Sequence, residues 1–470
     1  MTDSSLLIRE AELLSSRGPT AICDVRIKDN VIDAIGELEA HPGDTVIDAR
    51  GSLLIPGLHD HHAHLVSYAA SLVSVPCGPP AVTNENELAE TLNENPGHGW
   101  LRGTGYHESV LPNLDRGWLD SFGPDRPVRI QHRSGRLWIV NSAGLETIQE
   151  QSQILPDHER ARLSDSKGLL YDVDELISDL TRSAPPPVDL ASQQLARFGV
   201  TGINDMTPAN DKATSDWFTT LQASGNLLQK VRLSGRPELT VCQTGDGLTI
   251  GETKVHLHDT SLPDIRALVA LIFESHEQHR MVAVHCVTEV ELVFALSAFR
   301  SAGSQWGDRI EHASVVPPKL IDQIRELELG IVTQPNFIFE RGDAYLKDIP
   351  EAEHDFLYRC RSLIDAGIPV AFGTDMPFGH PDPWLAMRSA ALRTTSSGHV
   401  LGIHERVSPE EALNMFLGEL DAPFSPRVLT PGQTADCCLL DAPWHEIRND
   451  FDSGHVRMTL KNGDVIYKSA

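Results

Sequence analysis

The run Ile55-Pro-Gly-Leu-His-Asp-His-His-Ala-His64 packs several metal-capable side chains into ten positions. It continues an apolar stretch, Leu53 to Ile55, that reads as a strand. Side chains on a strand alternate between faces. His62 and His64 therefore point one way with Asp60 behind them, and His59 and His61 point the other way. Two imidazoles on one face at a strand end can share a metal ion. Later apolar runs end in residues that could complete the site: Lys254, His285, His312 and Asp375. Four imidazoles and an aspartate suit zinc or a similar borderline divalent metal. A lysine ammonium cannot be a ligand. Buried beside two cations it would be neutral, and carboxylation by CO₂ would make it a bridging anion between two metals. Such a pair would bring a shared water's pKa near neutrality and polarise a carbonyl. Asp375 would then take the water's proton and hand it to a leaving nitrogen.

The elements that must position these groups follow from periodicity. From about residue 56 to 405, strand-like runs alternate with helical patterns such as Leu262 to His279 and Pro318 to Leu329. The strands include Val128–Gln131, Gly199–Ile203, Thr253–His256, Val282–His285, Arg309–His312, Gly330–Gln334 and Pro369–Asp375. Many strands each followed by a helix predict an α/β protein with a closed (β/α)₈ TIM barrel, whose active groups gather at the C-terminal strand ends. Lys254, His285 and His312 succeed one another at about one βα unit, and Asp375 follows two units later. The six residues then fall on strands 1, 4, 5, 6 and 8. The interval from His62 to Lys254 is too long for three units, so roughly a hundred residues there are insertion or extended loop. An open doubly wound sheet is the alternative, but no Gly-rich phosphate loop follows the first strand.

Both chain ends read as β. Asp29-Asn30 and Asn462-Gly463 mark hairpins, and Ala435 to Asp441 reads as another strand. The expected organisation is a small β-sandwich from residues 1–55 and 425–470, and a barrel over 56–424 with a long insertion between about 65 and 250. Pro185-Pro-Pro187 should precede a helix over Asp189 to Arg197.

The 470 residues carry a net charge of -27, from 39 basic and 66 acidic side chains. That balance argues against nucleic acid or an anionic membrane as partner and leaves a small-molecule substrate. No apolar run approaches membrane-spanning length, and Met1-Thr-Asp-Ser-Ser does not begin as a signal peptide does. Apart from the adjacent Cys437 and Cys438, the seven cysteines are widely spaced, with no C-x-x-C pair, which fits a reducing cytoplasm better than a disulfide framework. Cys286 reads as a small strand residue facing away from His285. Self-association into a homo-oligomer is left open.

Pro56-Gly-Leu-x-Asp60-x-His62-x-His64, with Lys254, His285, Arg309-Ile-Glu-His312 and Gly373-Thr-Asp375, resembles the metal-dependent amidohydrolase superfamily, closest to amidohydrolase family 3 (YtcJ-like). Trp100-x-Arg-Gly-x-Gly105, Val140-Asn-Ser-Ala143, Gly199-Val-Thr201, Ser408-Pro-Glu-Glu-Ala412 and Pro431-Gly-x-x-Ala-Asp436 extend the likeness over nearly the whole chain. The resemblance implies hydrolysis of an amide, N-acyl or cyclic-amide C–N bond by metal-bound hydroxide, at one or two metals, with Lys254 N6-carboxylated in the two-metal form. In this branch the lysine often leads into Asp-Gly, whereas Lys254 leads into Val-His-Leu-His-Asp259. The branch also tends to place Gly-His before Val-Asn-Ser, whereas Gly135 precedes Arg136, which could grip a carboxylate in bidentate fashion. Tyr106, His107, His132, Arg136 and Asn336 are the candidates for substrate contact, with His256 and His258 as further lining. Trp138 reads as core. Glu289 reads as a helix-start residue, or as the proton shuttle of the rival reading, a mononuclear deaminase using His62, His64, His285 and Asp375. A catalytically silent barrel is the remaining alternative, disfavoured because all six ligand positions are filled.

Overall fold

The computed structural model describes residues 5–15, 18–171, 173–181, 185–241 and 247–469. The chain forms two compact units, one of residues 1–65 with 189–470 and one of residues 66–188. Cys242 lies outside the described residues.

In the larger unit eight parallel strands follow the chain in order: Leu58–Ala63, Val200–Asp205, Lys230–Gly235, Leu248–His256, Val282–Cys286, Arg309–His312, Gly330–Thr333 and Val370–Phe372. Their near-continuous burial matches strands covered on both faces. The first and eighth strands meet through backbone hydrogen bonds just past their ends: Asp375 N–H donates to His62 O at 2.8 Å, and His64 N–H to Met376 O at 2.9 Å. This is the (β/α)₈ barrel expected from the alternating pattern. Two glycines let its strands approach. A Cβ on Gly57 would lie 2.3 Å from the Thr201 side chain, and one on Gly373 would lie 2.5 Å from His62 N and Cβ. The helices cover an apolar layer that includes Leu268, Ile272, Leu292, Phe299, Ile310 and Ile324. Cys286 packs in that layer, facing away from His285 as its place in the strand requires.

Strands from both chain ends join one mixed sheet, in which Leu53–Pro56 pairs Cys437–Leu440. The turn residues Asp29 and Asn30 have φ of 50° and 68°, and Asn462 and Gly463 have 51° and 79°. Positive φ at both central positions gives the turn twist that hairpins favour.

The smaller unit holds a five-stranded sheet in the order Leu169–Tyr171, Leu137–Val140, Val128–His132, Leu101–Tyr106 and Val75–Pro76. Val128–His132, which sequence pattern alone grouped with the barrel strands, belongs here instead. Its apolar run carries no information about which sheet receives it. Asn141 of the Val-Asn-Ser motif shapes the corner after Leu137–Val140: its side chain accepts from Val128 N–H and Gly144 N–H at 2.9 Å, and donates to Arg126 O at 2.8 Å. The proline run ends before a helix at Val188–Arg197.

Candidate metal centre

The barrel brings the strand-end residues together. His62 and His64 leave the first strand, Lys254 lies near the end of the fourth, His285 on the fifth and His312 at the end of the sixth. Asp375 follows the eighth. The His62 and His312 rings are 4.6 Å apart, His285 and His312 4.5 Å, and His62 and His64 5.4 Å. His62, His64 and Asp375 form a compact ligand group: each offers a donor atom within 4.8 Å of the other two. Asp375 Oδ1 is 3.2 Å from His64 Nε2 and 3.5 Å from His62 Nε2.

The opposite ring nitrogens are engaged. His62 Nδ1 donates to Glu311 Oε2 at 2.5 Å, His312 Nδ1 donates to Gln334 Oε1 at 2.7 Å, and His64 Nδ1 is 3.0 Å from Thr207 Oγ1. A donated Nδ1–H fixes the tautomer whose Nε2 lone pair is open to a cation. Burial, followed by nearby Lys254 and His312, holds His62 well below its ordinary pKa. Burial, with His256 and His312 adding to it, does the same for His285. Asp375 stays well below the carboxylate range: burial opposes this, but His64, His312 and His62 outweigh it. Burial, partly offset by Glu311, pushes Lys254 down to about 8.

Asp375 Oδ1 and Lys254 Nζ are buried without a hydrogen-bond partner among the described residues. A buried polar atom left this way costs roughly 1–3 kcal/mol. Two imidazoles whose Nδ1 atoms are already engaged, converging with an ionised carboxylate on one point, are the donor set a divalent cation requires. The residues present fit such a group.

The frame behind the ligands is polar and buried. Asp60 accepts from Thr374 Oγ1 at 2.5 Å, Thr374 N–H at 3.0 Å and His62 N–H at 3.1 Å, tying the first strand to the segment that carries Asp375. Glu311 also accepts from Arg309 Nε at 2.5 Å, and Arg309 Nη1 lies 3.5 Å from Glu252 Oε1. Glu252 in turn accepts from Ser234 Oγ at 2.6 Å and Asn204 Nδ2 at 3.1 Å. Glu311 was missed by sequence reasoning. Its place between Ile310 and His312 in the Arg-Ile-Glu-His motif was the available signal.

The profile of the amidohydrolase family, family 3, matches residues 45–467. The chain belongs to this family. It is 23% identical to the amidohydrolase YtcJ of Bacillus subtilis over 95% of this chain and 96% of that one. It is 24% identical to an N-substituted formamide deformylase of Arthrobacter pascens, over 80% of each. Among solved structures, a metal-dependent hydrolase of Pyrococcus horikoshii aligns with a TM-score of 0.76 at 20% identity, covering 96% of this chain and 99% of that one. Family membership makes this protein a metal-dependent hydrolase.

Other candidates in this amidohydrolase fall in several places. His59 Nδ1 donates to Gly418 O at 2.9 Å, a structural use. His61 is fully buried with neither ring nitrogen hydrogen-bonded among the described residues. Burial, then Arg309 and Arg427, push it down to about 3. The His256 ring meets the His285 ring edge-on, with centroids 4.1 Å apart, and the His258 ring centroid lies 4.3 Å from that of His256. Asn336 is buried, donating to Glu340 Oε1 at 2.9 Å and to Thr374 O at 3.1 Å, so it braces the residue before Asp375. Glu289 opens the helix Glu289–Ala302 and pairs with Lys319 Nζ at 2.7 Å, as a helix-start residue would.

Tyr106, His107, His132 and Arg136 lie in the smaller unit. The Tyr106 hydroxyl donates to Leu111 O at 2.7 Å and accepts from Leu114 N–H at 3.2 Å. His132 Nε2 is 3.1 Å and His107 Nε2 3.6 Å from Glu108 Oε2. Arg136 follows Gly135, whose φ is 77°, and its N–H donates to Ser134 Oγ at 3.4 Å. Trp138 is core, with Arg102 and Arg129 over its ring.

Among the described residues no helix is long and apolar enough to cross a membrane. Cys23, Cys77, Cys286, Cys360, Cys437 and Cys438 are free thiols.

Proposed function

We propose that this amidohydrolase cleaves an amide-type C–N bond at a zinc-class divalent metal held by His62, His64 and Asp375. His285, His312 and a carboxylated Lys254 complete a second metal position in this reading. The observation that carries it is the meeting of two Nε2 atoms on Asp375 Oδ1, an oxygen with no hydrogen-bond partner among the described residues. When bound, the metal supplies Lewis acidity toward a carbonyl oxygen and toward water. Asp375, kept ionised by its imidazole neighbours, accepts the attacking water's proton on its carboxylate and returns it to the leaving nitrogen. Glu311, Gln334 and Thr207 hold the imidazoles in orientation. A pKa near 8 leaves Lys254 a fraction of free amine at neutral pH. That amine adds CO₂ and releases one proton to give the carbamate. The formamide deformylase relative, named for C–N cleavage, supports the bond class.

The test is metal content per chain, in protein purified without chelator, for the parent and Lys254→Ala, followed by an amide and N-acyl screen. Two metals in the parent, reduced in the variant, with amide turnover, is the expected result. One metal in both would remove Lys254 from the site and favour the mononuclear deaminase. Among the described residues one three-residue ligand group is found, which also fits that second reading. Ammonia release from amino-heterocycles would establish it. Metal-free, ordered protein would revive the silent barrel.

A further inference from the structure

Val255-His-Leu-His258 carries the chain out of the fourth barrel strand, just after Lys254, and the proposed chemistry makes no use of its two histidines. The strand Leu248–His256 pairs in parallel with Val282–Cys286, and His256 stands directly opposite His285 in that register. Alternation puts His256 on the face that carries Lys254. Leu257 turns the other way, buried in the apolar layer with Leu292 and Leu296. Lys254, His312 and His64 all act electrostatically on His256, so its ring lies on the side of the proposed ligands. The run is pinned there by Glu291. This carboxylate accepts from Asp259 N–H at 3.0 Å and from Val287 N–H and Thr288 N–H at 2.7 and 3.1 Å, joining the exits of the fourth and fifth strands.

Ring spacing runs unbroken from this segment into the centre. Centroids are 4.1 Å apart for His256 and His285, 4.5 Å for His285 and His312, and 4.6 Å for His312 and His62. A cation about 2.1 Å from a ring nitrogen stands about 3.2 Å from that ring's centroid, so two ligands at about 80–110° have centroids about 4.1–5.2 Å apart. The His256–His285 spacing falls in this range, as do the two spacings between proposed ligands. His258 is 4.3 Å from His256 but 6.3 Å from His285, too far to share a cation with His285 at those angles. His62, His64 and His312 each have a protein partner on Nδ1. Among the described residues no hydrogen bond or ion pair engages a ring nitrogen of His256 or His285. The two rings meet at 69°, and turning each about its Cβ–Cγ bond, a soft torsion, lets both present a nitrogen to one point.

We infer that His256 is a ligand of the second metal position, which it shares with His285 and His312. The inference rests on the two-metal form of the proposed site. Three imidazoles make this position nitrogen-rich whatever Lys254 adds, and such a set favours zinc, cobalt or copper over manganese or magnesium. His62, His64 and Asp375 keep the first position. His256 is the member of the set most open to solvent, so it is the ligand an entering ion reaches first.

Metal binding by the full chain, stripped with chelator and then dialysed, tests this without any substrate. Cobalt(II) titration followed by visible absorption gives the stoichiometry, and zinc competition against a chromogenic chelator gives the affinities. The parent is compared with His256→Phe and His256→Ala. Phenylalanine keeps a ring against His285 but brings no nitrogen, so a packing role survives in it and a ligand role does not. The parent should bind two ions. In both variants the weaker site should lose affinity by more than the about 10- to 100-fold that losing a ligand's outer partner costs. The cobalt spectrum should change for the second equivalent and not the first. Urea unfolding of the metal-free proteins identifies a variant that fails to fold, and the other variant then decides. Two ions bound by His256→Phe with the parent's affinities would overturn the inference and leave the two-metal reading standing, as would loss in His256→Ala alone. One ion in the parent and variants alike would overturn both. One ion in the parent, weakened in His256→Phe, would overturn the second position and place His256 in a mononuclear centre.

Discussion

Glu311 joins the fold to the proposed ligand set, so its removal should damage both by separable amounts. It is fully buried and accepts 2.5 Å hydrogen bonds from His62 Nδ1 and Arg309 Nε. Glu311→Ala deletes both. Hydrogen bonds to a charged group contribute about 1.5–3 kcal/mol each, and breaking one side of a buried ion pair costs about 3–5 kcal/mol. Arg309 keeps Glu252 at 3.5 Å, so its charge is not wholly abandoned. The expected loss in metal-free protein is therefore about 3–5 kcal/mol, a large share of the ~5–15 kcal/mol typical of a domain. Glu311→Gln keeps the volume but can accept from only one of the two donors, so about half the loss is expected. Metal affinity should fall by about 10- to 100-fold in both, the usual effect of losing a ligand's outer partner. The double variant Glu311→Leu with Arg309→Met removes both charges and should recover much of the stability, but none of the metal affinity, because His62 stays unheld. Urea unfolding of metal-free protein and competition with a chromogenic chelator measure the two quantities. Glu311→Ala unfolding within 1 kcal/mol of the parent with unchanged affinity would refute the reasoning, as would affinity regained in the double variant.

Gly373→Ala would put a Cβ 2.5 Å from His62 N and Cβ; backbone overlap cannot relax cheaply, so chelator competition should show weakened metal binding. Thr374→Val leaves Asp60 Oδ2 without its 2.5 Å donor and should cost about 1–3 kcal/mol in urea unfolding, while Thr374→Ser should stay near the parent. His455 has its pKa raised: burial opposes, but hydrogen bonds to Asp441 and Asp450 outweigh it. A raised folded pKa means the imidazolium is stabilising below the unfolded value, near 6.5, and that stability is lost as pH rises through the folded value. Denaturation of the parent against His455→Gln should therefore differ most at pH 5 and converge above pH 8.

The class of barrel, and the strand ends at which the proposed ligands sit, were legible in the sequence alone. His62, His64, Lys254, His285, His312 and Asp375 each sit at a strand end, and strand alternation with βα spacing depends only on local geometry. The hairpins at Asp29-Asn30 and Asn462-Gly463 were legible for the same reason, since positive φ is a property of the turn residues themselves. Tertiary structure decided what local pattern does not encode. An apolar strand such as Val128–His132 fits either sheet, and only its pairing with Leu101–Tyr106 and Leu137–Val140 places it in the smaller unit. Glu311 is one more acidic residue in an acidic chain until folding sets it between His62 and Arg309. Asn336 looked like pocket lining, and its bond to Thr374 O is a contact between segments far apart in the chain.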